Sequence, residues 1–520
     1  MNMKIACIIL VVLMSCGGWS VWANNLKVEN VSLTAPSSDD KTANIQFDLS
    51  WDNSWRNITN HDAVWVFAKY KKSGETAWNH VMLKSSGTNP VGYSQGSGTG
   101  LDIAVAANAD GKSYGAIIRR DSSGAGAVDT DNVELVWDWG ATGNNLDTED
   151  SIDEVRVYGI EMVYVPQASF YIGDGNGASE SQAAFHQADN TAALITDSLV
   201  NDIKVDSNGT DDGTLTGPGI GVSGPGGLDA DNNGVVDNGS FPTGYTSFYG
   251  MKYEITQDQW VAFFNTLTDE GRVNRDITGA GGKGSDSVVF RNTVSWTSGD
   301  ASSTRPDRAC NYLSWQDFAA YADWAALRPL TELEYEKACR GAGSASLGEY
   351  AWGNNSITAG VTFSGSENGT ETFTTEGSNA CYNNQTFVSG DAGQGPVRAG
   401  IFAKAATTKQ QAGAGFYGPM EMTGNVWEYC VGVGSSAGRS FQGTHGDGAL
   451  ETASGFEGNA TNADWPGYTS GQGVSGAAGA ALKGGSWKAT ANFAVSARNG
   501  STATTRTNEN GGRCGRSLSL

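Results

Sequence analysis

The segment Gly418-Pro-Met-Glu-Met-Thr-Gly-Asn-Val-Trp-Glu-Tyr429 organises the reading of this chain. Gly424 breaks regular structure, Asn425 is suited to hydrogen-bond its own backbone, and Trp427 and Tyr429 close the run with aromatic anchors. Glu421 and Glu428 flank a turn that exposes backbone carbonyls. Such a supply of hard oxygens suits Ca²⁺. The plainer alternative is a surface turn with an anchoring tryptophan.

Working back from this turn, three stretches carry helix start signals. Thr256-Gln-Asp-Gln259 is a capping box that leads into Trp260, Phe263, Phe264 and Leu267. Ser314-Trp-Gln-Asp317 leads into Phe318, Tyr321 and Ala325, and Thr331-Glu-Leu-Glu334 into Tyr335 and Ala338. Their aromatic stripes read as core. From 341 onward the chain has little periodicity and much Gly, Asn and Thr, so long loops over a small core are expected.

Further upstream, residues 24–160 read as all-β. Asn44-Ile-Gln-Phe-Asp-Leu-Ser-Trp51 and Ala63-Val-Trp-Val-Phe-Ala-Lys-Tyr70 alternate at period two, and Val133–Trp139 and Val155–Ile160 follow. A β-sandwich is the expectation. A second unit opens at Met162-Val-Tyr-Val-Pro-Gln-Ala-Ser-Phe-Tyr-Ile-Gly-Asp174 and is interrupted by a Gly- and Asp-rich insertion at about 175–240. Within the insertion Asp229, Asp231, Asn233 and Asp237 stand at positions one, three, five and nine of an EF-hand-type loop. Gly234 stands at six. Position twelve is Ser240 rather than Glu, so a partial calcium loop is the expectation and an acidic loop its alternative.

The chain has 520 residues and a net charge of -23, which disfavours nucleic acid and anionic lipid and favours divalent cations. The low charged fraction of 17% with 71 Gly fits a loop-rich exported protein. Lys4, the apolar run Ile5–Met14 and Val21-Trp-Ala23 read as a signal peptide over 1–23. Leu13-Met-Ser-Cys16 also resembles a lipobox, which would lipidate Cys16, although Met14 fits it poorly. No later run is long enough to span a bilayer. A secreted or cell-surface location follows as the expectation, with disulfides permitted. Beyond residue 23 there are five cysteines, at 310, 339, 381, 430 and 514. At least one is then unpaired within a monomer, and no C-x-x-C supports zinc. Four histidines, at 61, 80, 186 and 445, do not suggest a histidine-built centre.

These landmarks, in this order, resemble the formylglycine-generating enzyme family, also called sulfatase-modifying-factor domains. The matching pieces are Met162–Gly173, Phe248–Thr256, Leu313-Ser-Trp315, Arg328–Ala338, Tyr350-Ala-Trp-Gly353, Gly424-Asn-Val-Trp-Glu428 and Lys483-Gly-Gly-Ser-Trp487. The resemblance implies an α+β chain: a β-sandwich followed, over 161–520, by a loop-rich domain of C-type-lectin type. It implies one calcium at Glu421, Glu428 and the carbonyls of Gly424 and Val426. A second calcium would use Asn379, Asp391 and the carbonyls of Ala380 and Gly393.

The chemistry of the family does not carry over in the same way. Its enzymes oxidise a substrate cysteine with a copper-binding cysteine pair shortly after the Gly-Gly-Ser-aromatic motif, where soft thiolates suit Cu(I). Here Gly484–Arg498 contains no cysteine. The tail resembles instead ligand-binding members of the same fold, in which large side chains alternate with small ones. Trp487, Lys488, Asn492, Phe493, Arg498 and Arg506 are therefore the expected binding face, and structural arginines bridging loops are the alternative. The expected function is an exported, calcium-stabilised, non-catalytic binding or structural protein, with a protein or glycan ligand or self-association. An oxidoreductase of the formylglycine-generating type and a subunit of a filament or surface layer are the alternatives.

Overall fold

The computed structural model describes residues 24–144, 146, 152–174, 184–185, 192–196, 228, 236–404, 406–491, 493–500 and 504–518. Residues 1–23, read from sequence as a signal peptide and including Cys16, most of the 175–240 insertion with Asp229, Asp231 and Asn233, and Asn492 lie outside the described residues.

The chain is α+β, rich in sheet, with short helices. The strands Lys27–Ser37, Thr42–Arg56 and Gly124–Asp138 form a three-stranded antiparallel sheet. The alternation read from the sequence appears directly: Ala43, Ile45, Phe47, Leu49 and Trp51 are buried while their neighbours are less so. They share one core with Val64, Val66, Ala68 and Tyr70 of the strand Asp62–Lys72.

That strand belongs to a second sheet of nine strands. Its path runs Arg328–Pro329, Cys514–Arg516, Phe248–Met251, Ile152–Val165, Asp62–Lys72, Ala116–Arg120, Leu101–Val105 and Gly87–Thr88, and Trp78–His80 also pairs with Asp62–Lys72. Ile152–Val165 runs through position 160. It pairs along Asp62–Lys72 on one side and with Phe248–Met251 on the other. The alternate residues Ala63, Trp65 and Phe67 face a different core, shared with the helices. Two buried contacts tie these regions: the Trp65 indole N–H donates to the Ala325 carbonyl at 2.8 Å, and the Arg516 guanidinium lies 4.2 Å over the Trp65 ring.

Helices α1 (Gln257–Phe264), α3 (Trp315–Trp324) and α4 (Glu332–Arg340) place side chains in that core, and a further helix, α2 (Asp269–Arg275), follows α1. The three capping boxes read from sequence close α1, α3 and α4, each satisfying end N–H groups at about 1 kcal/mol per cap. Helix α2 had no such box; Thr268 caps it alone. A four-stranded sheet ordered Asn499–Gly500, Ala480–Lys483, Trp427–Val431 and Asn510–Gly512 brings the Gly-Asn-Val-Trp-Glu turn next to the C-terminal segment. None of the described helices is long and apolar enough to cross a membrane.

Candidate functional site

The turn that begins at Glu421 is built on left-handed backbone. Glu421, Gly424 and Asn425 have φ of 56°, 88° and 62°. A Cβ at Gly424 would lie 2.4 Å from the Cys381 carbonyl oxygen, so only glycine fits. Asn425 joins four distant segments. Its N–H donates to the Cys381 carbonyl and its carbonyl accepts from the Trp487 N–H, at 2.8 and 2.7 Å. Its side-chain oxygen accepts from the Val397 N–H at 2.8 Å, and its side-chain amide donates to Glu254.

Three buried glutamates surround the turn. The Val426 N–H donates to Glu254. Glu428 accepts from Arg513 through two parallel bonds of 2.8 Å, and Arg513 also donates to the carbonyls of Met251 and Met420. Glu421 accepts from the Gly400 N–H at 3.0 Å through one oxygen, while Oε2 has no partner. Burial, and then the neighbouring Glu428, pushes Glu254 far above the usual carboxylate range. Burial lifts Glu421 to about 7.

This arrangement does not fit the calcium sets that the resemblance implied. The carboxylate of Glu428 is occupied on both oxygens by a guanidinium, a cation that a divalent ion would have to displace. Asp391 is held by Arg305 and by Arg308. Asn379 points its amide to different partners, accepting from the Thr358 N–H and donating to the Ser356 carbonyl. The carbonyls of Ala380 and Gly393 accept from the N–H groups of Gly360 and Phe387. Among the described residues no group of three or more His, Cys, Asp and Glu stands in metal-holding geometry. Of the loop at 229–237 only Asp237 is described, with its N–H on the Leu228 carbonyl.

The segment after Gly484-Gly485 is packed inward. Trp487 is 2% exposed; its indole donates to the Asn508 carbonyl and its ring lies 5.5 Å from Phe290. Phe493 is 6% exposed between Tyr350 and Tyr382. Arg498 makes two 2.9 Å bonds to buried Glu332, and Arg506 clamps Asp317 at 2.7 and 2.8 Å. Burial alone would raise Asp317 and Glu332, but these guanidinium groups hold both below the usual range. Lys488 alone of the described set turns to solvent, with Glu509 at 3.2 Å. The expected binding face of Trp487, Lys488, Phe493, Arg498 and Arg506 is therefore not formed. The arginines bridge loops, and Phe493 is covered by aromatics distant in sequence.

The sequence reading missed the acids that these arginines meet. Asp317 on α3 and Glu332, Glu334 and Glu336 on α4 are each buried with a cationic partner. For Asp317 the available signal was an acid within the apolar run of α3; the charged sequence of α4 carried none.

The five cysteines beyond residue 23 are buried and unpaired. Burial pushes every one of these thiols up.

The glycine turn is hydrogen-bonded to the Gly484-Gly-Ser-Trp487 segment that follows the strand Ala480–Lys483, and the surrounding loops are pinned by buried Arg–carboxylate pairs. The sulfatase-modifying factor enzyme 1-like domain matches residues 238–518, more than half of the chain, and the chain belongs to that family. A formylglycine-generating enzyme of Thermomonospora curvata is 31% identical over 134 residues, which are 26% of this chain and 36% of that enzyme. The similarity thus spans about a third of the length of that relative.

Proposed function

We propose that this chain is an exported, non-catalytic member of the family, serving as a binding or structural module. Residues 24–160 read as a β-sandwich joined to the family domain, and the segment 1–23 as the export signal. One observation carries the non-catalytic reading: the segment where the family's copper cysteines would stand has none, and the cysteines at 310, 339, 381, 430 and 514 are enclosed. The inward packing of the tail favours a structural part, with self-association, over a ligand face centred on Phe493. The name of the Thermomonospora curvata relative supports the second reading, an oxidoreductase acting on a protein cysteine. Incubation with Cu(I), oxygen and a cysteine peptide separates the two. The first expects no formylglycine beyond that made by free copper, and turnover above that level establishes the second. Light scattering of the purified protein distinguishes a self-associating subunit from a monomer.

A further inference from the structure

A cavity of about 260 Å³ lies where the strand Ile152–Val165 meets helices α1 and α3. It is far in sequence from the Gly-Asn-Val-Trp-Glu turn and draws on strands outside residues 238–518. Its walls are aromatic on one side: Phe67, Tyr158 and Trp324 lie ring to ring, with centroids 5.0 to 5.2 Å apart. On the other side stand two acids. Asp258, half-buried at the start of α1, has a carboxylate with no hydrogen-bond or ion-pair partner among the described residues. Asp307 is 4% exposed, and its Oδ2 has no partner.

Of the other polar residues on this cavity, Glu161 is held by Asn24 and Lys252, and Thr256 and Gln259 hold each other in the cap of α1, whereas others are unmatched. Tyr321 is fully buried, and its hydroxyl has no partner; the Trp324 indole N–H has none either. Of the cations in the neighbourhood, Lys69 lies 5.5 Å over the Trp324 ring and donates to the Gly448 carbonyl, and the others are engaged elsewhere. Lys252 lies between Asp62 and Glu161, Arg308 between Glu367 and Asp391, and Arg398 on Glu371. Desolvation, with the two aspartates reinforcing each other at Asp258, lifts both acids to about 6.

Unpaired acids, unpaired aromatic donors and ring faces around one space are costly when empty. They are complementary to a ligand that carries a positive charge. We propose that this cavity binds a small organic cation, a protonated amine or guanidinium, with Asp258 and Asp307 on its charge and the aromatic rings on its flank. The net charge of -23 raises the local concentration of such cations.

The test uses the full chain and titration calorimetry with ethanolamine, choline and arginine amide. Ethylene glycol and glycolate serve as neutral and anionic counterparts. The expected result is saturable binding of at least one cation and of neither counterpart. Asp258→Asn should weaken that binding about tenfold or more, the usual scale for loss of a charge-assisted contact. Ala262→Phe, which fills the space from α1, should abolish it while the melting temperature of the free protein changes little. Equal binding of glycol and amine, retention of affinity in Asp258→Asn, or no heat with any of the three cations would each overturn the assignment.

Discussion

Arg513 holds Glu428 by two 2.8 Å bonds with both side chains buried, and so ties the C-terminal segment to the Gly-Asn-Val-Trp-Glu turn. This pair occupies the position where the resemblance implied calcium. Removing one partner leaves an uncompensated charge in the interior. Arg513→Met is expected to cost about 3–5 kcal/mol, and Glu428→Leu combined with Arg513→Met to recover much of that loss. Denaturant melts should give the same loss in calcium and in chelator. A loss seen only with calcium present would show that Glu428 serves a metal after all.

The left-handed turn makes a second prediction. Gly424→Ala forces a Cβ against the Cys381 carbonyl at a φ of 88°. The expected loss is roughly 2 kcal/mol or more. Asn425→Ala strands the Val397 N–H and the amide contact to Glu254, at about 1–3 kcal/mol for each orphaned group. Thermal melts of the two variants check both values, and a wild-type melting temperature for either would contradict the geometry.

The cysteines beyond residue 23 predict slow chemistry. All five are enclosed and their thiols are held protonated. Mass spectrometry after a short pulse of iodoacetamide at pH 7.5 is expected to find none of these five modified in the native protein. In urea all five should react. Rapid native labelling of any one would place a thiolate at the surface.

Glu421 predicts a pH trend. Its native value of about 7 exceeds the ordinary glutamate value of 4.5, so the folded state binds the proton more tightly. Below 4.5 both states are protonated and no penalty arises. As pH rises from 4.5 through 7 the unfolded state ionises first, and stability falls, by roughly 3 kcal/mol at most for this group. Above 7 the loss is complete. Glu421→Gln should therefore flatten the decline in melting temperature between pH 5 and 8, whatever its absolute stability. An unchanged slope in the variant would mean that Glu421 ionises normally.

The legible parts of this molecule were the local ones. The period-two strands, the three capping boxes and the Gly424 turn follow from short-range rules, and the structure places each where those rules put it. What sequence could not show was which distant groups meet. Phe493 stands among alanines and reads as uncovered, but its cover comes from Tyr350 and Tyr382. Glu428 reads as a metal ligand because its partner Arg513 lies far along the chain, between the strands Asn510–Gly512 and Cys514–Arg516. Arg498 and Arg506 could not be matched to Glu332 and Asp317 by spacing, since the loops between them obey no period.

The strand Cys514–Arg516 lies in the interior of the nine-stranded sheet, between Phe248–Met251 and Arg328–Pro329. Trp427–Val431 waits in the same way on Ala480–Lys483 and Asn510–Gly512. The order of synthesis is thus the reverse of what the sheets require. Neither can close until residues near 516 have left the ribosome, and each closing contact spans a long loop, which slows folding. Until then Phe248, Tyr249 and Met251 present an unpaired edge. During that interval the edge is open to pairing with a neighbouring chain.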